Sequence, residues 1–341
     1  MKMEYRRLGR SGLKVSRICL GTSTFGESTR ALAAARIVGS AFDAGINFID
    51  TADSYGNSFG AAERIVGPLI AKQRDYCVLA SKFARQANLN DPNSGGLGRK
   101  WMMQAIHGSL KRLKTDYIDV YYLHYDDLQT PIEETLRAMD ELIRAGKVRY
   151  FGLSNFQGWR ITEVVKECDR LGVPRPVVVE PYYHALYRLA EVEILPACGY
   201  YGLGVVPYAA LARGVLTGKY IPGKEPPRSS RAGARKARFL ADEYRPESLR
   251  IAQQLKVHAE KKGMKLGAFA LNWVLNNALV TSVLAGPRTL EQWREYLASL
   301  RYSFDADDEA IVERLVSRGH SSKYGHVDRK QPVRGRVLRV P

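Results

Sequence analysis

Four side chains within the first 124 residues are of types that together can move a proton. They are Asp50 and Tyr55 in "NFIDTADSYG" (47–56), Lys82 in "ASKF", and His124 at the close of "YIDVYYLH" (117–124). A tyrosine titrates at about 10, so near neutrality it is a serviceable acid and a reluctant base unless a nearby cation stabilises its phenolate. Lys82 can supply that cation. A buried ammonium tends to lose its proton, so Lys82 in turn needs an anion, which Asp50 provides. His124 can hydrogen-bond the atom that Tyr55 protonates and hold its orientation. No cluster of histidines or carboxylates has metal-ligand spacing, so the expected chemistry is proton transfer without a metal. Asp53 reads as a capping or turn residue, not as a member of this set.

Residues this far apart in sequence need a fold that gathers them. Short β-rich runs at 16–21, 46–50, 76–81, 117–124, 148–154, 176–180, 203–208 and 279–286 alternate with amphipathic stretches at 31–44, 60–71, 100–114, 130–146, 158–171 and 188–199. Further helices are expected at 246–262, 266–276 and 289–299. In "TPIEETLRAMDELIRAG" Thr130 can cap, Pro131 suits the first turn and Gly146 ends the helix. Eight alternating units over about 300 residues match a (β/α)₈ TIM barrel better than an open sheet. No G-x-G-x-x-G follows the first strand and no G-x-x-x-x-G-K-[ST] occurs, which disfavours a Rossmann domain.

We therefore expect one domain over 1–341: an N-terminal β-hairpin (1–15) turning near Gly9 to Gly12, a barrel (16–300) and a C-terminal extension (301–341). The stretches 83–98 and 209–245 exceed ordinary βα connections and read as long loops at the C-terminal mouth. Active sites of this fold sit at the C-terminal ends of the strands. Those ends carry Asp50, then Ser81-Lys82, His124 and Ser154-Asn155, with Tyr55 just beyond the second strand, so the four candidates converge. Phe25, Phe83 and Tyr125 lie just past strand ends and read equally as an apolar substrate pocket or as core.

Composition narrows the function classes. No apolar run reaches the roughly 18 residues of a membrane span, and the N-terminus lacks the apolar core of a signal peptide. Cys19, Cys77, Cys168 and Cys198 are dispersed and form no C-x-x-C pair, as in a reduced, cytoplasmic protein. The net charge of +17 is concentrated: 219–238 and 318–341 each carry +6. No zinc finger or aromatic-basic interleaving accompanies them, so nucleic acid is not an expected partner. A small phosphorylated ligand suits a local basic loop better, and the run 228–238 reads equally as a solvated loop.

The motifs "FIDTADSYG", "SKF", "DYIDVYYLHYDD", "TPIEETLRAMDELIRAGKVRYFGLSNF" and "LARGVLTGKY" also carry a resemblance. Over nearly the whole chain they resemble the aldo-keto reductase superfamily. The segments "AGPRTLEQW" and "GHSSKYGHVDRKQPVRGR" are most similar to its aryl-alcohol dehydrogenase-like branch. The resemblance implies a catalytic tetrad of Asp50, Tyr55, Lys82 and His124, with Tyr55 as acid for carbonyl reduction and base for alcohol oxidation. It implies NADPH, preferred over NADH, and a small carbonyl or alcohol substrate. Ser154 and Asn155 would hold the carboxamide and Tyr183 would stack on the ring. Tyr208, Leu211, Arg213, Gly214, Leu216 and Lys219 would follow the pyrophosphate. Arg288, Gln292 and Glu295 would meet the 2′-phosphate and adenine. Gly21, Thr22, Asp50, Glu180 and Gly286 complete the implied cofactor contacts. The potassium-channel β subunits resemble this family too, so a cofactor-binding regulatory subunit is the alternative.

Three departures from the family pattern bear on chemistry. "EPYY" places Glu180 where glutamine is usual, and an ionised Glu180 would favour NADP⁺ and alcohol oxidation. "YAAL" (208–211) puts Ala209 where a serine often helps near the phosphates, and Tyr296 stands where asparagine often meets adenine.

Overall fold

In the computed structural model, which describes residues 3–234 and 237–327, the strands fall into two sheets. The first is a hairpin of β1 (Tyr5–Arg7) and β2 (Lys14–Ser16), antiparallel with Arg6 opposite Val15. Leu8 and Val15, both fully buried, plug the N-terminal end of the barrel. Truncating a buried leucine such as Leu8 costs about 2–5 kcal/mol. Gly9 is required at the turn: its φ is +60°, and a Cβ there would lie 2.5 Å from the Gly204 nitrogen.

The second sheet is the barrel, built from parallel strands: β3 (Ile18–Gly21), β4 (Phe48–Asp50), β5 (Val78–Phe83), β6 (Ile118–Leu123), β7 (Val148–Ser154), β8 (Val178–Glu180), β9 (Gly204–Val205) and β10 (Val283–Ala285). They follow in the order β10-β3-β4-β5-β6-β7-β8-β9. The remaining seam closes where the Thr281 N–H donates to the Val205 carbonyl (2.9 Å) and the Leu284 N–H to the Pro207 carbonyl (3.0 Å). The expected (β/α)₈ barrel with an N-terminal hairpin is thus the observed fold. Most strands are trimmed at their ends relative to the sequence reading. β5 is shifted toward its C-terminus, which draws Lys82 inside the ladder.

Helices α1 (Ala31–Asp43), α2 (Ala61–Ile70), α3 (Arg99–Leu113), α4 (Ile132–Arg144), α5 (Gly158–Leu171) and α6 (Ile194–Tyr201) alternate with the strands. α7 (Ala237–Asp242), α8 (Pro246–Lys261) and α9 (Leu266–Asn276) precede β10, and α10 (Leu290–Ser299) and α11 (Ala306–Leu315) follow it. α4 shows why these segments are helical. Leu136, Met139 and Leu142 recur on its buried face, and Glu133 and Glu134 begin it while Arg144 ends it, matching the helix dipole. Thr130 does not cap it: its hydroxyl donates to Asp127 Oδ2 at 2.6 Å and the helix starts at Ile132. α6 starts later than expected, at Ile194 after a 3₁₀ turn at Leu189–Glu191, with Pro196 in its first turn.

α11 was not anticipated, although Asp305 and Asp308 form a reciprocal capping box, each backbone N–H bonding the other's carboxylate at 3.1 Å. Beyond it the chain lies along the loop after β8, with the Arg188 N–H donating to the His320 carbonyl (2.8 Å) and the Ser322 N–H to the Leu186 carbonyl (2.9 Å). Residues 328–341 of the expected extension, and Arg235 and Lys236 of the basic loop, lie outside the described residues.

Candidate active site at the barrel mouth

Strand parity selects the side chains that enter the mouth. Phe48, Val78, Tyr122 and Val178 belong to the interior cluster, whereas Ile49, Leu79, Tyr121 and Val179 pack in the layer between sheet and helices. Asp50, Lys82 and Glu180 share the parity of Phe48, Val78 and Val178 and therefore face inward. Lys82 binds both carboxylate oxygens of Asp50 and donates to the Thr51 carbonyl at 3.2 Å. Glu180 Oε2 approaches the same ammonium at 3.3 Å.

This floor is buried, and its electrostatics follow from that. Burial pulls the Lys82 ammonium down, but Asp50, Glu180 and Tyr55 outweigh it and hold the group well above its ordinary range. Burial pushes Asp50 up against the opposing pull of Lys82. Burial and the neighbouring Asp50 push Glu180 up to about 8, so it keeps its proton at neutral pH. The bias toward NADP⁺ read from the sequence requires an ionised Glu180, and this upward shift opposes that ionisation at neutral pH.

Tyr55 stands over this floor with the Lys82 ammonium 5.0 Å from its ring centre. Burial raises its phenol, and Asp50, Glu180 and Tyr125 add to the rise while Lys82 opposes it. The net direction is upward, so Tyr55 is held as the proton-bearing acid instead of the ready phenolate that Lys82 alone would favour. The His124 ring meets the Tyr55 ring edge-on, with centres 5.8 Å apart, and Tyr125 stacks on His124 at 4.4 Å.

The neighbouring strand ends are tied by one amide. Asn155, with φ +62°, donates Nδ2 to the His124 carbonyl (2.9 Å) and to Ser154 Oγ (3.0 Å), and its Oδ1 accepts from the Tyr208 hydroxyl (2.6 Å). Ser154 Oγ donates to the Glu180 carbonyl at 3.2 Å. Thr22 joins β3 to β4 through its N–H and its hydroxyl, both donating to the Asp50 carbonyl at 2.9 Å.

After β9 the chain makes an unusual turn: Ala212, Arg213 and Gly214 have φ of +45°, +50° and +108°. Two non-glycine residues in the left-handed region are costly, and such strain gathers at ligand sites. Leu211 precedes the turn, with its carbonyl accepting from the Gly214 (2.8 Å) and Leu216 (3.1 Å) N–H groups. A Cβ at Gly214 would sit 3.1 Å from Lys219 Nζ, so glycine leaves room for that ammonium. Burial lowers Lys219, helped by Arg288 and Arg231; burial likewise lowers Arg231, helped by Arg288 and Arg213. Among the described residues Lys219, Arg231 and Arg288 form no ion pair with a carboxylate, a crowding of cations that an anion would relieve. Tyr296 is beside them: burial raises it to about 12 while Arg231 and Arg288 pull it down. The sequence reading did not single out Arg231, which reaches the cluster from the long loop and donates Nη1 to the Arg213 carbonyl at 2.8 Å.

Several expected contacts are placed elsewhere. Tyr183 does not face the mouth: it packs on Trp273 with ring centres 5.0 Å apart, and its hydroxyl donates to Glu191 at 2.7 Å. Tyr208 is the aromatic beside Asn155. Phe83 has the opposite parity to Lys82 and stacks on Tyr121 in the sheet–helix layer, and Phe25 is fully buried in the same core. Of the three pocket candidates, Tyr125 alone lies beside the tetrad. Glu295 is exposed and ion-paired with Lys265. Gln292 Oε1 accepts the Arg288 N–H at 2.9 Å, and Gly286 lies near Ser23. At Gly21 a Cβ would strike Leu284 at 2.5 Å, which explains the glycine by packing alone. Asp53 is fully buried; its backbone N–H donates to the Lys82 carbonyl (3.1 Å), whereas its carboxylate caps no helix, and burial and Glu63 push that carboxyl well above the carboxylate range. Arg213 is engaged by Glu243 at 3.4 Å, a buried carboxylate that also takes the Tyr182 hydroxyl.

The profile described as the Aldo/keto reductase family matches residues 17–317. An "Uncharacterized oxidoreductase YrpG" of Bacillus subtilis (strain 168) is 39% identical over 317 residues, covering 89% of this chain and 93% of the relative. A "Probable voltage-gated potassium channel subunit beta" of Oryza sativa subsp. japonica is 37% identical over 311 residues, 87% and 91% of the two chains. An "L-glyceraldehyde 3-phosphate reductase" of Escherichia coli O157:H7 is 32% identical over 330 residues, 93% and 94%.

Proposed function

The chain belongs to the aldo/keto reductase family of oxidoreductases, and from that premise we propose that it interconverts a small aldehyde or ketone and the corresponding alcohol, using NADP(H), with Tyr55 as general acid and base. The observation that carries this reading is the charged Lys82, fixed by Asp50 and placed 5.0 Å from the centre of the Tyr55 ring, with His124 at the ring's edge.

The residues present fit the cofactor. The left-handed turn at 212–214 and the cations Lys219, Arg231 and Arg288, which have no carboxylate partner among the described residues, suit a pyrophosphate and a further phosphate, which favours NADPH over NADH. Tyr208 and Asn155, at the ends of β9 and β7, would flank the nicotinamide. When bound, the cofactor supplies or accepts the hydride.

The side chains do the rest. In reduction Tyr55 donates its phenolic proton to the oxygen left anionic by hydride addition, and Lys82 stabilises the resulting phenolate. His124 hydrogen-bonds that oxygen and sets its direction. In oxidation the same phenolate takes the proton back. The name of the Escherichia coli relative makes phosphorylated aldehydes sensible members of a substrate panel. The four cysteines, buried and unpaired, fit a reducing compartment such as the cytoplasm. Among the described residues no helix is long and apolar enough to cross a membrane.

A second reading, a cofactor-binding regulatory subunit, draws on the 37% identity to probable channel β subunits. One experiment separates the two: turnover of aldehydes, ketones and alcohols with NADP(H) and NAD(H), beside cofactor binding. Tight binding with negligible turnover of the whole panel would favour the subunit.

A further inference from the structure

Asp50 and Glu180 face the same lysine from β4 and β8, four strands apart in an eight-stranded barrel and so on opposite walls. Asp50 meets Lys82 with both oxygens, and Glu180 brings one oxygen to 3.3 Å. The three side chains are at most 3% exposed. The titratable groups around Glu180 are Cys19 on β3, Asp50 on β4, Tyr55 on the loop beyond it, Lys82 on β5 and Tyr122 on β6. On β7, Ser154 offers a hydroxyl that is bonded to the Glu180 main chain.

Lys82 is the one cation of that set. Were both carboxylates ionised, the floor would hold an uncompensated buried negative charge, and buried groups in that position take up a proton instead. Geometry chooses which. Asp50 holds the ammonium with two contacts, whereas Glu180 Oε2 is buried without a hydrogen-bond partner.

We propose that Glu180 is a positioning residue for the proton transfer: as a neutral acid it leaves the Lys82 charge to Tyr55, and on ionising it competes for that charge. The proposal rests on the role of Tyr55 given above. When Tyr55 gives its proton to the substrate oxygen, the floor holds Asp50⁻, Lys82⁺ and a phenolate, an excess of one negative charge. An ionised Glu180 makes the excess two. Alcohol oxidation needs the phenolate beforehand, so its pH range depends on which acid yields first as pH rises. Glu180, at about 8, yields before the raised Tyr55 phenol, and its charge then opposes the second ionisation.

Glu180→Gln preserves the shape and a donor but cannot ionise. The alkaline rise of kcat for alcohol oxidation is expected to move to lower pH by about one unit or more in the variant. The infrared difference between cofactor-free wild type and Glu180→Gln, in which the raised Asp53 carboxyl common to both cancels, should show a protonated-carboxyl stretch at neutral pH that fades as pH passes about 8. Superimposable pH profiles would overturn the proposal, as would absence of that stretch from the neutral difference spectrum. If no substrate turns over, the oxidoreductase reading fails, and the infrared titration still decides whether Glu180 holds its proton.

Discussion

Tyr208 donates its hydroxyl to Asn155 Oδ1 at 2.6 Å, and the Asn155 NH₂ bonds the His124 carbonyl and Ser154 Oγ. One amide thus fixes the mutual positions of the ends of β6, β7 and β9. It does so from a left-handed backbone conformation (φ +62°), which asparagine tolerates better than most residues. Asn155→Ala removes the bonds and adds backbone strain, and should destabilise the protein by about 1–3 kcal/mol and weaken NADPH binding. Tyr208→Phe, which deletes a single bond, should cost about 1 kcal/mol. Urea denaturation and cofactor titration check both. Equal effects of the two variants would deny Asn155 its place as the hub.

Tyr55→Phe keeps the ring over Lys82 and removes the proton. In the proposed mechanism kcat for carbonyl reduction should fall by about 10²–10⁴-fold, while the NADPH dissociation constant stays within a few-fold. Loss of cofactor binding in place of turnover would show that the hydroxyl builds the site and does not serve as its acid.

The shared lysine predicts unequal costs for its partners. Lys82→Met leaves Asp50 and Glu180 without their cation and should cost about 3–5 kcal/mol at neutral pH. Asp50→Asn should cost less, about 1–2 kcal/mol, because Glu180 can release its proton and pair with Lys82 in its place. Denaturation curves at neutral pH give both numbers. Matching losses would mean that Glu180 offers no reserve charge.

Arg288 and Arg231 crowd Lys219 with no carboxylate among the described residues to offset them. Arg288→Leu and Arg231→Leu should each weaken NADPH binding by about 10- to 100-fold, the range of a charge-assisted hydrogen bond. NADH binding should change less wherever the lost contact is to the 2′-phosphate, and NADPH affinity should fall with added salt. Isothermal titration with both cofactors checks this. Indifference of NADPH binding to both variants would return the cluster to a plain surface feature.

The legible part of the site follows from period two. Asp50, Lys82 and Glu180 are each separated by an even step from an apolar residue of the barrel interior, so the strand pattern places them together. The same parity turns Phe83, next to Lys82, toward the helices, where it stacks on Tyr121. Tyr183 misled because Pro181 breaks the strand after Glu180, and the three-residue step beyond it carries no parity. Arg231 could not be located from the sequence, because its place is set by how a long loop folds back over the turn at 212–214. The proton on Glu180 was equally hidden: it depends on a carboxylate from β4 and one from β8 sharing a buried lysine. α11 was written in Asp305 and Asp308 at capping-box spacing.

That proton carries a stability signature with a definite sign. An unfolded glutamate releases its proton around its ordinary value of 4.5, whereas folded Glu180 retains it to about 8. Between those values the native state binds a proton that the unfolded chain does not, so stability falls as pH rises through the window and levels off above it. Asp50, raised in the same direction by burial, contributes with the same sign, and Lys82, raised above its ordinary 10.5, loses its contribution only at more alkaline pH. Glu180→Gln removes the glutamate's share and nothing else that titrates in the window. Denaturation free energies measured from about pH 5 to about pH 8 should therefore decline less steeply in the variant than in the wild type. Parallel declines would mean that the native and unfolded states bind the Glu180 proton equally, and that the buried floor does not hold it.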